Sequence, residues 1–183
     1  MARVLLCYGT SEGQTSTIAE HMGDVIEDEG HDVTLVHLKH PPDDLDPGSY
    51  DGIVVGASIH AGSHQRYVTK FVREHRAALN RCPSAFFSVS LTAAHDESDA
   101  RAPAAELLET FLDETGWDPD GTLVVAGALK YREYGLLKRF VMRRIAGKVV
   151  GDTDTSRDYE YTDWEEVEAF AREFTTLLRA DPE

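Results

Sequence analysis

Val4-Leu5-Leu6-Cys7-Tyr8-Gly9-Thr10-Ser11-Glu12-Gly13-Gln14-Thr15 is the stretch that decides the fold. Its apolar opening has the length of a strand covered on both faces. A turn rich in glycine and hydroxyls follows, and then a helical pattern in which Ile18, Ala19, Met22, Val25 and Ile26 share one stripe before the stop at Gly30. A strand entering a helix through such a turn makes an anion site. The helix N-terminus offers unpaired N–H groups and the positive end of a dipole, and Thr10, Ser11 and Thr15 add hydroxyl donors. The loop holds no Lys or Arg and lacks the G-x-G-x-x-G spacing, which excludes both a P-loop and a dinucleotide fingerprint. What remains is a cradle of hydroxyls and amides around Thr10, Ser11, Glu12, Gly13, Gln14 and Thr15, sized for one terminal phosphate such as a mononucleotide carries. Taken alone, the same residues serve equally well as a helix cap.

Further strand-like runs follow at 32–37, 52–57, 84–90 and 122–128, separated by helical patterns at 64–80, 100–115, 134–147 and 163–180. The last of these opens at Thr162-Asp163-Trp164-Glu165, where Thr162 is the candidate capping residue. Residues 39–50 carry too much Pro and Asp for a helix and read as a surface crossover. At 183 residues the chain has the length of one domain, so 1–183 is expected to be a single α/β unit. Its expected core is a doubly wound five-stranded parallel sheet in the order 2-1-3-4-5, with the ligand beyond the strand ends beside strand 1.

The loops after strands 3 and 4 should therefore face the first. They contain Ser58, Ile59, His60, Ala61 and Gly62, then Leu91, Thr92, Ala93 and Ala94. Small residues let backbone amides approach a flat heterocycle, and Gly62 supplies a peptide free to reorient. His60, His64 and His95 have no paired carboxylate, so no metal site is expected. No residue can be nominated as the catalytic acid or base. A site so poor in acids and bases implies a cofactor that performs the chemistry itself.

The two cysteines show no ligand or disulfide spacing, and no apolar run approaches membrane-spanning length. A cytoplasmic protein is expected, neither secreted nor transmembrane. The net charge is −15, with 33 acidic residues against 18 basic ones. Such a surface suits a salt-rich, halophilic cytoplasm and excludes nonspecific nucleic-acid binding. Residues 130–148 reverse the sign: seven basic residues against one acid give a local +6, so the other 164 residues carry −21. Leu137, Phe140, Val141 and Ile145 can share one side of a helix there, between Lys130, Arg132, Lys138, Arg139, Arg143, Arg144 and Lys148. Segments of this type bind anionic membranes or anionic ligands, although a packing helix with a basic outer face has the same pattern.

Thr10-Ser11-Glu12-Gly13-Gln14-Thr15 resembles the phosphate loop of flavodoxins. Together with Val55-Gly56-Ala57-Ser58-Ile59, Pro83-Ser84-Ala85-Phe86-Phe87-Ser88-Val89, Ala126-Gly127-Ala128-Leu129-Lys130-Tyr131, Gly151-Asp152-Thr153-Asp154-Thr155 and Tyr161-Thr162-Asp163-Trp164-Glu165, it is similar to the menaquinone-dependent protoporphyrinogen IX oxidase family. The similarity to this flavodoxin-like branch spans essentially the whole chain. It implies a flavodoxin-like fold with a basic helical insertion after the fifth strand, and FMN as cofactor. The FMN phosphate would sit in the 10–15 loop, with Ser58 to Gly62 and Leu91 to Ala94 flanking the ring.

The resemblance also implies oxidation of protoporphyrinogen IX to protoporphyrin IX, a step of haem biosynthesis, with a menaquinone-type quinone as acceptor. Lys130, Arg132, Arg139, Phe140, Arg143 and Arg144 would contact the substrate or a peripheral anionic membrane surface on the inner face of the cell membrane. Two blocks depart from the family pattern. Ile59-His60-Ala61-Gly62-Ser63-His64 stands where Ile-Arg-Tyr-Gly-His is usual, and Thr92-Ala93-Ala94-His95-Asp96-Glu97 stands where basic residues are usual. The alternatives are a flavodoxin-type electron carrier acting on no substrate and a generic flavin:quinone reductase with another reductant. The basic segment favours the quinone-linked enzyme, since a carrier has little need of it.

Overall fold

The expected strands form, and two of them have different ends. A computed structural model of the protein describes residues 1–91, 98–129 and 159–178. Strands β1 (Arg3–Tyr8), β2 (Asp32–His37), β3 (Gly52–His60), β5 (Ser84–Ser90) and β6 (Gly121–Ala126) make a parallel sheet in the order β2-β1-β3-β5-β6. The short β4 (Ser63–His64) folds back antiparallel on the end of β3. With that short arm set aside, the order is the one expected. Helices α1 (Gln14–Asp28), α2 (Arg66–Leu79), α3 (Ser98–Thr115) and α4 (Trp164–Leu178) cover the sheet. The basic pattern at 134–147 lies outside the described residues.

Alternation along the strands divides the core into two layers. Val4, Leu6, Val54, Ala85 and Phe87 pack with Ile18, Met22 and Ile26 of α1 and with Val167, Ala171 and Phe174 of α4. Leu5, Cys7, Ile53, Val55 and Phe86 face Val68, Phe71, Val72 and Leu79 of α2 and Leu108 and Phe111 of α3. This two-sided burial explains why the strands read as continuous apolar runs. Phe86 and Phe87 are sequence neighbours in opposite layers, both fully buried, and burial of a side chain of this size contributes about 2–3 kcal/mol. Gly56 makes room for one of them: it is the ladder partner of Phe87, and a Cβ there would lie 2.1 Å from Phe87 Cζ.

The 52–57 run continues to His60 because it turns into a hairpin. His60 pairs with Ser63 around a two-residue turn in which Ala61 has φ 50° and Gly62 has φ 80°. Positive φ at both central residues is what a type I′ turn requires, and it matches the twist of the paired strands. The 122–128 run instead breaks after Ala126. Gly127 separates β6 from β7 (Ala128–Leu129), which pairs antiparallel with β8 (Tyr159–Glu160) in a small ribbon of its own. Residues 47–49 of the crossover form a 3₁₀ turn capped by Asp46, whose carboxylate accepts the Gly48 N–H at 2.9 Å.

Candidate functional site

The C-terminal ends of β1, β3, β5 and β6 border an open groove. Its walls are Thr10, Ser11, Glu12, Gln14 and Thr15 from the first loop, Ser58, Ile59 and His60 from β3, and Leu91 after β5. All of these were expected in the site. Val89, Gly127 and Ala128 also line it and were not. Gly13, Ala61 and Gly62 are not on its wall. Gly13 begins α1 with φ 86°, Ala61 and Gly62 are exposed at the hairpin tip, and Gly62 borders a second cavity with Ser63 and His64. Thr92, Ala93 and Ala94, and the basic residues from Lys130 to Arg144, lie outside the described residues.

The first loop is closed by its own atoms. Gly13 donates its N–H to Thr10 Oγ1 at 2.8 Å, and its carbonyl accepts the Thr17 N–H at 3.2 Å. The first-turn N–H groups of α1 have no intrahelical acceptors. Beside them Thr15 is 1% exposed, and its Oγ1 is buried without a hydrogen-bond partner. Leaving a buried hydroxyl unpaired costs about 1–3 kcal/mol. An acceptor arriving at the helix N-terminus would remove that cost, so the donors here fit a terminal phosphate. The Gln14 side chain turns away towards the far end of the chain, where its amide donates to Glu160 Oε1 at 3.2 Å and to Thr162 Oγ1 at 2.9 Å. Thr162 in turn donates to the Ala126 carbonyl at 2.9 Å, so α1 is tied to both β6 and the β7–β8 ribbon. The cap of α4 is therefore not Thr162. Asp163 Oδ1 fills that role, accepting the N–H groups of Glu165 and Glu166 at 3.1 and 3.2 Å.

Both walls are braced from the start of α2. Tyr67 holds Thr10 through its hydroxyl, which accepts the Thr10 N–H at 3.2 Å and donates to the Thr10 carbonyl at 3.3 Å. Gln65 accepts the Ser58 N–H at 3.2 Å, and its amide donates to Ser58 Oγ and, at 3.2 Å, to Ser11 Oγ. His64 closes the hairpin inward, with Nε2 2.8 Å from Ser88 Oγ and its ring against Phe86 and Phe111. Burial pushes the His64 imidazole down to about 4, so it is neutral at neutral pH. At the end of β2, His37 stacks on Tyr8 with ring centroids 5.0 Å apart. Burial, then the charges of His40 and Lys39, hold it below its usual range.

A family model described as a flavodoxin domain matches residues 5–156. The chain belongs to the flavodoxin-domain family. Across its length this flavodoxin-domain chain is 38% identical over 178 residues to protoporphyrinogen IX dehydrogenase (quinone) of Escherichia coli strain K12, covering 96% of each chain. It is 31% identical over 186 residues to the protein of that name from Leishmania major, covering 98% of this chain and 78% of that one. In fold it resembles flavodoxin 1 from Bacillus cereus, with a TM-score of 0.57, 16% identity, and coverage of 98% of this chain and 99% of that one.

Three features of this flavodoxin domain are missed by the sequence pattern, and two of them have no signal there. Gln65 and Tyr67 act through side chains that reach back more than fifty residues, and Ala128 belongs to the wall only because β6 stops at Gly127. The extended segment following a Gly-punctuated apolar run is the one available hint for that break. Of the three loop histidines, His64 is buried on Ser88, His60 is exposed on the hairpin, and His95 lies outside the described residues. Among the described residues no group of three or more His, Cys, Asp or Glu could hold a metal ion, and no helix is long and apolar enough to cross a membrane.

Proposed function

We propose that the protein is an FMN-dependent oxidoreductase that dehydrogenates protoporphyrinogen IX to protoporphyrin IX and delivers the electrons to a menaquinone-type quinone. The observation that carries this is the 38% identity extending over 96% of both this chain and the Escherichia coli dehydrogenase. The groove supports the cofactor, since its donors are hydroxyls and helix-terminal amides, among them the buried, unpaired Thr15 hydroxyl. FMN, when bound, supplies the reversible acceptance of hydride equivalents that links a porphyrinogen to a quinone. Thr10, Ser11 and Thr15 hold its phosphate with the α1 amides. Ser58, Ile59 and His60 on one side and Val89 and Leu91 on the other orient the ring, and Gly127 and Ala128 close the remaining wall. The chain's own contribution is to bind, orient and exclude water.

The basic residues Lys130, Arg132, Arg139, Arg143 and Arg144, with Phe140 among them, meet the anionic headgroups of the membrane that holds the quinone, or the propionates of the substrate. Their place in the chain supports this, because residues 130–158 join β7 to β8 and Ala128 of β7 lines the groove. The setting that follows is a salt-rich cytoplasm with peripheral attachment to the inner face of the membrane. In such salt the Debye length falls to roughly 3 Å, so insertion of Phe140 has to supplement charge.

Anaerobic titration of the FMN-loaded protein with protoporphyrinogen IX, followed by a menaquinone analogue, is the test. The flavin absorbance should bleach and then return. If it bleaches only with a reduced redox protein, the chain is an electron carrier. If it bleaches with a nicotinamide and not with the porphyrinogen, it is a flavin:quinone reductase of another kind. Reversing the charge of Arg139, Arg143 and Arg144 should release the protein from anionic vesicles at low salt, each contributing about 1 kcal/mol, while FMN stays bound. Unchanged vesicle binding in these variants and in Phe140→Ser would refute membrane attachment through this segment.

A further inference from the structure

We infer that Gln65 determines the ligand specificity of the groove by fixing the Ser11 and Ser58 hydroxyls as donors directed into it. The inference rests on the FMN assignment and extends it from the loops to the residue between them. A carboxamide has one acceptor oxygen and two N–H donors. The Ser58 backbone N–H can only donate, and it lies 3.2 Å from Gln65 Oε1. That contact settles which end of the amide faces Ser58 N and leaves Nε2 pointing at the hydroxyls. Its two hydrogens are then fully used, one by Ser58 Oγ and one by Ser11 Oγ at 3.2 Å.

A hydroxyl that accepts from an amide still has its own hydrogen to place. Ser11 and Ser58 both line the groove, one on the phosphate-loop side and one on β3, so both hydrogens are available to a ligand lying between them. The groove thereby favours a molecule that presents acceptors to both hydroxyls. A ligand with donors there would compete with Gln65 Nε2 for the hydroxyl oxygens and leave both hydroxyl hydrogens unused.

Two observations show that the surroundings are built for this amide. Gly9 makes space for it: a Cβ at that position would lie 3.1 Å from Gln65 Oε1 and 2.4 Å from Val68 Cγ2. Gln65 is also the residue preceding α2, where Ser, Thr, Asp or Asn would cap the helix, yet its side chain makes no cap hydrogen bond. The side chain serves the two serines in place of its own helix.

The test is to titrate FMN and riboflavin into the apo forms of the wild type, Gln65→Met, Gln65→Glu and Ser11→Ala, alone and combined, with thermal melting of each. The wild type should prefer FMN over riboflavin. Gln65→Met should lower that preference on the order of tenfold, because the hydroxyls are then free to turn away. Gln65→Glu should lower it more, about a hundredfold, since a carboxylate accepts the hydroxyl hydrogens itself and places negative charge beside the phosphate. Ser11→Ala should weaken FMN in the wild type and have little further effect in Gln65→Met, a coupling that a loss of stability alone does not produce. An FMN-to-riboflavin ratio unchanged in both Gln65 variants, or full additivity with Ser11→Ala, would overturn the inference. A wild type that binds both ligands equally would overturn the phosphate assignment and this inference with it.

Discussion

The two walls of the groove are held in different ways. The 10–15 loop is closed first by neighbours: Thr10 Oγ1 takes the N–H of Gly13, and Gly13 returns its carbonyl to Thr17. The 59–64 hairpin is secured across the chain, by His64 on Ser88 and by Gln65 reaching Ser58 and Ser11. The first wall is closed by local chemistry, is steadied by Tyr67 and Gln65, and leaves a donor, Thr15 Oγ1, unspent. The second is held by packing and by the side chains of His64 and Gln65. A site with one wall of each kind separates the affinity for an anion from the placement of what the anion carries.

The largest effect should come where the two walls share a root. Gly56 accepts the Gly9 N–H at 2.9 Å and leaves the space that Phe87 fills, so Gly56→Ala forces a fully buried ring to move. A loss of about 3 kcal/mol or more in urea denaturation is expected, with FMN and riboflavin binding weakened together. If only one ligand suffers, the walls are not rooted together.

Next comes the hairpin wall and its dependence on pH. His64 titrates near 4 in the folded protein and near 6.5 when unfolded, so protons favour the unfolded state between those values. Stability should be full above about pH 6.5 and fall by about 3 kcal/mol towards pH 4. Replacing both partners, His64→Leu with Ser88→Ala, should flatten most of that slope in denaturation midpoints measured against pH. His37, also held low, acts in the same direction. An unchanged slope would show that the hairpin wall is not held by a neutral imidazole.

Thr15→Val tests the opposite wall with a change of nearly constant shape. It should cost FMN about 2 kcal/mol, leave riboflavin unaffected, and raise the melting temperature of the apo protein by removing an unpaired buried hydroxyl. A fall in that melting temperature would mean that the hydroxyl is already satisfied. The smallest effect concerns the hairpin tip. Ala61 at φ 50° carries the left-handed strain of an L residue, so Ala61→Gly should stabilise by about 0.5 kcal/mol once the added chain entropy of glycine is subtracted. Destabilisation there would place Ala61 in a contact of its own.

The same contrast explains what can be read from residues alone. The phosphate loop and α1 are legible because glycine, hydroxyl and apolar periodicity act within one turn or one helix. The sheet order follows from strands alternating with helices. The hairpin has the sequence pattern of a loop because Ala61 is not a residue that advertises positive φ, and its turn is enforced by the pairing of Ile59 with His64 and of His60 with Ser63. Thr162 has the pattern of a cap, but its hydroxyl is claimed by the Ala126 carbonyl, which leaves Asp163 to begin α4. For Thr162 the competing partner lies beyond the reach of the local pattern, which carries no information about it.

The β7–β8 ribbon has a consequence for how this protein can change. Leu129 and Tyr159, which flank residues 130–158 in the chain, are ladder partners. Gln14 clamps the returning strand from the first helix, through Glu160 and Thr162. Loop-closure entropy rises only slowly with length, so a connection anchored in this way can be shortened, extended or exchanged at little thermodynamic cost to the sheet beneath it. The flavin chamber and the stretch that carries its basic charge are therefore separable units of inheritance. Substitution of one for another from a different relative would give the same redox core a new surface to address.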